Sequence, residues 1–321
     1  MDFHIIGIYS SSSSLASKFK ERILNCQKRL EEELGIKVVF GDLIFKNVNN
    51  YTTGTNIERA NEFNALVQKC KILMPSIGGW NSNSILSLLD YNLIQERKIK
   101  IIGFSDTTAI ILAIYKMTGM NVYYGQALLK DYDENNFVNK INALSINDLI
   151  LRHSHYYSYS NPKYYWDLQT DWNNQPISVN DMKLNNDVLY LNNASHTARL
   201  IGGNLNTIVS MLGTKYMPEI NDGDILFFEE SNKNIAEVER NLSALKNADI
   251  FKKIGGLIVG KFESYDDLGS NVKYQDLILQ YIEKKIPIIM NFDCGHTLPS
   301  LILEIGAIYK MDTKNKSLIK L

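Results

Sequence analysis

The residues in this sequence best suited to chemistry are a serine, a glycine pair, a carboxylate pair and a histidine, each just past a short apolar run. Ser105 follows Ile101-Ile102-Gly103-Phe104 and precedes Asp106-Thr107-Thr108. A serine at a strand-to-helix corner projects its hydroxyl from the carboxyl end of a sheet, beside the N–H groups of the next helix. That is the setting of an activated nucleophile, and equally the ordinary place of a helix N-cap. The elbow Gly-x-Ser-x-Gly is matched only in its first glycine, with Thr107 at the second, so the α/β-hydrolase fold is not indicated. Gly78-Gly79 reads either as a tight turn or as backbone brought close to a reacting carbonyl. In the second case the N–H groups of Gly79 and Asp106 form an oxyanion hole, and Asn81, Ser82 and Asn83 add hydrogen-bonding side chains at the same edge.

The strand-like run at 224–228 ends in Glu229-Glu230. Such a pair either turns into solvent or contributes one carboxylate that orients a histidine and stabilises its imidazolium. His296 lies in a loop bounded by Gly295 and Pro299, after the apolar run 287–290. It is the histidine placed just past a strong strand, which makes it the best general base. Cys294 is an alternative nucleophile, but no helix start follows it, and it reads as a small buried neighbour of the site.

The elements that must position these residues follow from periodicity. Strands are expected at 4–9, 37–40, 71–77 and 98–104, the first running into the serines Ser10 to Ser14. Apolar residues at three- and four-residue spacing predict helices at 15–34, closed by Gly35, and at 56–69, with others at 83–91 and after Ser105. Strands alternating with helices imply a parallel sheet whose ligands sit beyond the strand carboxyl ends. From about 130 to 185 the periodicity fails in a segment rich in Asn, Tyr and Asp, which predicts a connection or functional loop. Strands at 224–228, 256–262, 287–292, 307–311 and 317–321, with helices at 235–249 and 274–285, predict a second α/β unit. The expected architecture is α/β: an N-terminal parallel-sheet (flavodoxin-like) domain at 1–140, a connecting and substrate segment at 141–185, and a smaller C-terminal α/β domain at 186–321.

Composition excludes several classes. A length of 321 residues with 45% hydrophobic and 21% charged residues is that of an ordinary globular protein large enough for two domains. A net charge of −1 without a basic stripe argues against a nucleic-acid track. No secretory leader or membrane-length apolar run is visible. Cys26, Cys70 and Cys294 are odd in number and scattered, as expected of reduced thiols in a cytoplasmic protein. His153 and His155 form a close pair without further ligands at metal-site spacing, so no metal is expected.

Taken in order, the segments IGGWNSN (77–83), LLDYNLI (88–94), GFSDTT (103–108), LIGGNLNT (200–207), GTKYMP (213–218), ILFFEE (225–230), GLIVGKF (256–262) and CGHTLP (294–299) resemble the LD-carboxypeptidase family of serine peptidases, in particular its microcin-immunity branch. The resemblance implies a Ser–Glu–His triad carried here by Ser105, Glu229 and His296, with Glu229 taking the first acidic position after the strand. It places the nucleophile on the N-terminal domain and the other two on the C-terminal domain, with the active site at their interface. It implies amide hydrolysis through an acylated Ser105 without cofactor, in a homodimer. Substrates of that branch resemble an aminoacyl or peptidyl group joined to a nucleotide. Trp166 and Trp172 are then candidates to stack on the base, and Asn206 and Lys233 to contact the aminoacyl part. The run 191–197 lacks the glycines usual in the family, which points to a recognition segment at 150–197 shaped for a substrate of its own. Two other functions compete: removal of the terminal D-alanine from a murein tetrapeptide, and binding without catalysis on the same fold.

Overall fold

The computed structural model describes residues 5–132, 136–167 and 182–321. In the first part of the chain β1 (Ile5–Tyr9), β2 (Lys37–Phe40), β3 (Ile72–Pro75), β4 (Lys100–Gly103) and β5 (Val122–Tyr124) alternate with helices, among them Lys20–Leu34, Asn56–Lys69 and Thr108–Thr118. All four contacts among these strands are parallel. Further along come β6 (Tyr157–Ser158), β7 (Tyr164–Tyr165), β8 (Lys183–Leu184), β9 (Leu189–Leu191), β10 (Ser195–Asn204), β11 (Ile225–Glu229), β12 (Gly256–Gly260), β13 (Ile288–Phe292), β14 (Leu303–Ile305), β15 (Ile308–Asp312) and β16 (Ser317–Lys320). The first sheet has the order β14-β5-β4-β3-β1-β2, the second β6-β16-β15-β10-β11-β12-β13-β9, and β7 and β8 form a separate ribbon. Within the second sheet β10 to β13 are parallel and the outer strands antiparallel. The α/β class, with a parallel N-terminal sheet and a second sheet after it, is as the periodicity predicts.

Three features depart from the simple reading. The helix expected at 15–34 breaks at Phe19, whose backbone (φ −124°, ψ 48°) leaves the helical region. The one expected at 83–91 becomes a 3-10 turn at Ser82–Leu88 and then the helix Tyr91–Arg97, because the Asp90 side chain accepts the Leu93 N–H and starts a new helix. The segment after 130 is also more regular than expected, with a helix at Asn136–Ile146 continued by a π turn at Asn147–Leu151. Its pattern is masked because Asn139, Asn142 and Ser145 are buried alongside its apolar residues. Asn142 donates to the Asp131 carbonyl and accepts the Ser300 N–H, so this inward polar face ties the helix to the loop that carries His296.

The two sheets are joined in three ways. β14 leaves the second part of the chain and pairs antiparallel with β5, closing the first sheet. One apolar core runs through Ile110 and Leu112 of the first part and Leu200, Phe227 and Ile258 of the second. At the contact the Asn204 N–H donates to Thr108 Oγ1 at 3.0 Å, and Arg199 Nη1 to Tyr115 Oη at 3.0 Å. Among the described residues no helix is long and apolar enough to cross a membrane.

Candidate active site

Ser105 stands at the carboxyl end of β4 with a left-handed backbone, φ 53°. It is not an N-cap. The turn is closed instead by Thr107, whose Oγ1 accepts the Phe104 N–H at 2.7 Å and whose own N–H donates to the Phe104 carbonyl. The Ser105 hydroxyl is thereby left for other work. Its N–H donates to Tyr124 Oη at 3.1 Å, which holds the corner from the end of β5. Gly78 has to be glycine, because a Cβ there would lie 2.6 Å from Ser105 Cβ.

His296 Nε2 lies 3.2 Å from Ser105 Oγ, and His296 Nδ1 lies 2.6 Å from Glu229 Oε2. An Nδ1–H given to the carboxylate leaves the Nε2 lone pair facing the serine, as a general base requires. Glu229 is fully buried at the end of β11. Its Oε1 accepts the Tyr124 hydroxyl at 2.5 Å and Asn204 Nδ2 at 3.2 Å. Burial alone would raise this carboxyl, but the charge of His296 and the hydrogen bonds from His296, Tyr124 and Asn204 outweigh it and hold it below its ordinary value. For His296 burial pulls down, and Glu229 reverses it to leave the imidazole above its ordinary value. Gly295, at φ 137°, leaves room for the pair, since a Cβ there would meet Glu229 Oε2 at 2.5 Å. The Phe104 ring lies against the imidazole, centroids 4.5 Å apart.

Gly79 and Asp106, the two expected oxyanion-hole positions, line the same cavity as Ser105 and His296. The Asp106 carboxylate fixes this wall by accepting Ser12 Oγ–H at 2.6 Å and the Ser82 N–H at 2.9 Å. The serine run after β1 is thus part of the site's support: Ser13 N–H donates to the Gly78 carbonyl, and Arg59 reaches the Ser11 carbonyl from the helix Asn56–Lys69.

A cavity of about 860 Å³ opens on Ser105 and His296, with Trp80, Asn81, Asn206 and Lys233 in its walls. Lys233 Nζ lies 5.2 Å from the centre of the Trp80 ring and 3.6 Å from Glu237. Trp80 is 59% exposed at the mouth, although the sequence reading passed over it. Of the expected contact residues, Asn81, Asn206 and Lys233 line this cavity and Ser82 does not. The Ser82 side chain is buried against Ser11 Oγ at 3.2 Å, so it supports the wall from behind.

Trp166 requires a correction. It is fully buried, packs with Val138 and Leu298, and exchanges backbone hydrogen bonds with Leu298 at 2.8 and 3.1 Å. It anchors the loop of His296 and is closed to stacking on a ligand. Trp172 lies outside the described residues. Cys294 is buried as expected of a small neighbour of the site: burial pushes its thiol well above the ordinary value, and Sγ–H donates to the Tyr124 carbonyl at 3.8 Å. Sequence reasoning missed Tyr124 and Asn204, and gave Glu230 no role beyond membership of the carboxylate pair. Glu230, also buried, accepts Asn204 Nδ2 and the Asn206 N–H, and burial followed by the nearby Glu229 raises its carboxyl to about 7. Among the described residues no group of three or more His, Cys, Asp or Glu side chains could hold a metal ion.

Residues 6–125 match the N-terminal domain of the LD-carboxypeptidase family and residues 197–311 its C-terminal domain. The chain is 38% identical to the microcin C7 self-immunity protein MccF of Escherichia coli over 317 residues, covering 98% of this chain and 92% of that protein. The wild-type structure of MccF without ligand superposes with a TM-score of 0.93 over 99% of this chain and 95% of that one. MccF has also been solved with aspartyl sulfamoyl adenosine and with glutamyl sulfamoyl guanosine, and those structures superpose with TM-scores of 0.92 and 0.93. An MccF-like protein of Bacillus anthracis is 26% identical, with a TM-score of 0.83 over 100% of this chain and 97% of that one. The chain therefore belongs to the LD-carboxypeptidase family of serine peptidases.

Proposed function

We propose that this chain hydrolyses the amide-type bond between an aminoacyl or peptidyl group and a nucleotide-like leaving group, in conjugates of the microcin C type. Ser105 Oγ attacks the acyl carbon while His296 Nε2 takes its proton. The oxyanion is received by the Gly79 and Asp106 N–H groups, and Glu229 steadies the imidazolium. His296 returns the proton to the departing nitrogen, and water then releases the acyl group from Ser105 by the same steps in reverse roles. The observation that carries this reading is the Ser105–His296–Glu229 chain of 3.2 and 2.6 Å facing a ligand-sized cavity.

Asn206 and Lys233, in the wall of that cavity, suit the aminoacyl part, and an ammonium beside an amide complements a side-chain carboxylate. The aspartyl and glutamyl groups of the compounds bound to MccF fit this chemistry. The three cysteines are buried and none forms a disulfide, which supports a cytoplasmic location. The homodimer common in the family is tested by light scattering on the purified protein.

The deciding assay incubates the protein with aspartyl sulfamoyl adenosine and, separately, with a murein tetrapeptide ending in D-alanine, and follows products by mass spectrometry. Cleavage of the nucleoside conjugate supports the reading; cleavage of the tetrapeptide alone replaces it with the murein activity. Ser105→Ala is expected to lower turnover by about three orders of magnitude or more, as loss of a nucleophile does. Turnover within about tenfold of wild type refutes the assigned role.

A further inference from the structure

We propose that Lys130 forms an anion subsite for the leaving group, so that the enzyme selects substrates whose scissile nitrogen is followed by a carboxylate, phosphoryl or sulfamoyl group. The inference rests on Ser105 as nucleophile and His296 as base, and adds the reading of the departing group.

The two sides of the scissile bond can be assigned from the proton path. His296 Nε2 must reach the departing nitrogen, so the leaving group lies on the histidine side of Ser105. On that side the cavity wall is the Phe104 ring, against the imidazole at 4.5 Å, and next to it Lys130. Lys130 Nζ lies 5.1 Å from the centre of the Phe104 ring and 3.4 Å from the Thr297 carbonyl, one residue past His296. The other cation in the cavity wall, Lys233, stands against Trp80 and Glu237 and is left to the acyl side.

Lys130 is only 8% exposed, yet it lines the cavity. Its ammonium donates to Asp131 Oδ1 at 3.0 Å and to Thr297, and an ammonium has three donors. No acceptor for the third occurs among the described residues. Asp131 is fully buried and also accepts the Ala127 N–H at 2.8 Å, so it is fixed from behind and holds the ammonium in place. A buried ion pair between chain neighbours is a poor source of stability, because desolvation offsets most of the attraction. The same pair beside a reactive serine is well suited to present a shielded positive charge to an anion. Both substrate types considered above fit it: a C-terminal D-residue places its carboxylate one carbon beyond the nitrogen, and an aminoacyl sulfamoyl nucleoside places its sulfonyl group directly on it. The carboxylates that also line the cavity are Asp106, whose Oδ2 is engaged by Ser12 Oγ–H and the Ser82 N–H, and Glu230 and Glu263, which follow β11 and β12; an anion must avoid all three.

The test compares the wild type and Lys130→Met on two matched pairs. One is acetyl-L-lysyl-D-alanine and its carboxamide. The other is aspartyl sulfamoyl adenosine and the neutral aspartyl amide of 5′-amino-5′-deoxyadenosine. The variant is expected to lose about 10- to 100-fold more kcat/KM on the anionic member than on the neutral one, the size of one lost hydrogen bond to a charged group. Lys130→Arg should keep the preference. The pair that shows the effect identifies the anion as a carboxylate or a sulfamoyl group. Equal losses on both members of each pair, or no loss, overturn the proposal. If the Met variant does not fold, Lys130→Gln combined with Asp131→Asn removes the charge from both partners and is scored in the same way. If the wild type cleaves none of these compounds, the hydrolase reading fails on its own. The subsite is then scored by calorimetric binding of adenosine monophosphate, at least tenfold weaker in the variant if Lys130 holds the anion and equal in both proteins if it does not.

Discussion

Tyr124→Phe is the most revealing single change, because one hydroxyl joins the two halves of the site. Tyr124 Oη accepts the Ser105 N–H at 3.1 Å and donates to Glu229 Oε1 at 2.5 Å. Phenylalanine keeps the ring and removes both bonds. A hydrogen bond to a buried carboxylate contributes about 1.5–3 kcal/mol, and an orphaned buried N–H costs about 1–3 kcal/mol. The two overlap in one site and do not add fully, so a stability loss of about 2–4 kcal/mol at neutral pH is expected. The pH dependence carries the sign. Burial raises the Glu229 carboxyl, but His296, Tyr124 and Asn204 together hold it below its ordinary value. Its ionised form therefore stabilises the fold above the unfolded-state pKa, and that contribution is lost as pH falls through the folded-state value. Without Tyr124 the depression shrinks, so the deficit of the variant is full at neutral pH and narrows on acidification. Urea unfolding of both proteins at pH 7 and at about pH 3, below the ordinary carboxylate range, measures it. The released Ser105 corner should also lower kcat/KM by about 10- to 100-fold, the effect of a misplaced nucleophile. A deficit that does not change with pH, or activity within about twofold of wild type, refutes this account of the hydroxyl.

Two further changes test other parts of the site. Gly78→Ala puts a Cβ 2.6 Å from Ser105 Cβ and 3.0 Å from its Oγ, and should cut kcat/KM by at least about 100-fold with circular dichroism unchanged; near-normal activity would show that the glycine serves only the turn. Glu230→Gln tests the buried carboxyl raised to about 7, for which burial is the first cause and Glu229 the second. Between its ordinary value and about 7 the folded protein keeps a proton that the unfolded chain releases, so wild-type stability falls as pH rises through that window. Glutamine has no such proton, and its stability relative to wild type should improve by on the order of 1–3 kcal/mol between about pH 5 and pH 8, measured by urea unfolding; a constant difference rejects the raised carboxyl.

What the sequence revealed was set by where each residue stands on its element. Ser105, Glu229 and His296 all follow apolar strands, and strand ends are legible from period and from turn residues. The glycines at 78 and 79 were legible for the same reason. Tyr124 was hidden although it ends β5, because it follows Val122 and Tyr123 as one more buried apolar-type residue, and only its partners across the sheet contact give its hydroxyl a role. Asn204 reads as an ordinary N-cap, which it is, accepting the Thr207 N–H, while its Nδ2 does the work on Glu229 and Glu230. Trp166 misled because composition around 150–185 suggested an open loop, whereas its backbone pairing with Leu298 buries it. The helix at Asn136–Ile146 was missed because its inward face binds loop backbone through asparagine and serine and so breaks the apolar period.

The separation of the nucleophile from its base explains why no single segment announces the chemistry. Ser105 belongs to the first sheet, and Glu229 and His296 follow strands of the second, so their 3.2 Å contact is a property of how the sheets meet. That meeting is fixed close to the reacting atoms. Asn204 binds Thr108 three residues past the nucleophile and also binds Glu229; Tyr124 binds the nucleophile's own N–H and also binds Glu229. Two residues thus triangulate the same carboxylate against the same corner, Tyr124 through its hydroxyl and Asn204 through its backbone N–H and its side-chain amide. Each carries a hydrogen bond across the sheet contact, so loosening that contact displaces serine and histidine together with their supports. A change at Arg199 or Tyr115, at the same contact but away from the cavity, should then reach catalysis only as far as it moves these two bridges.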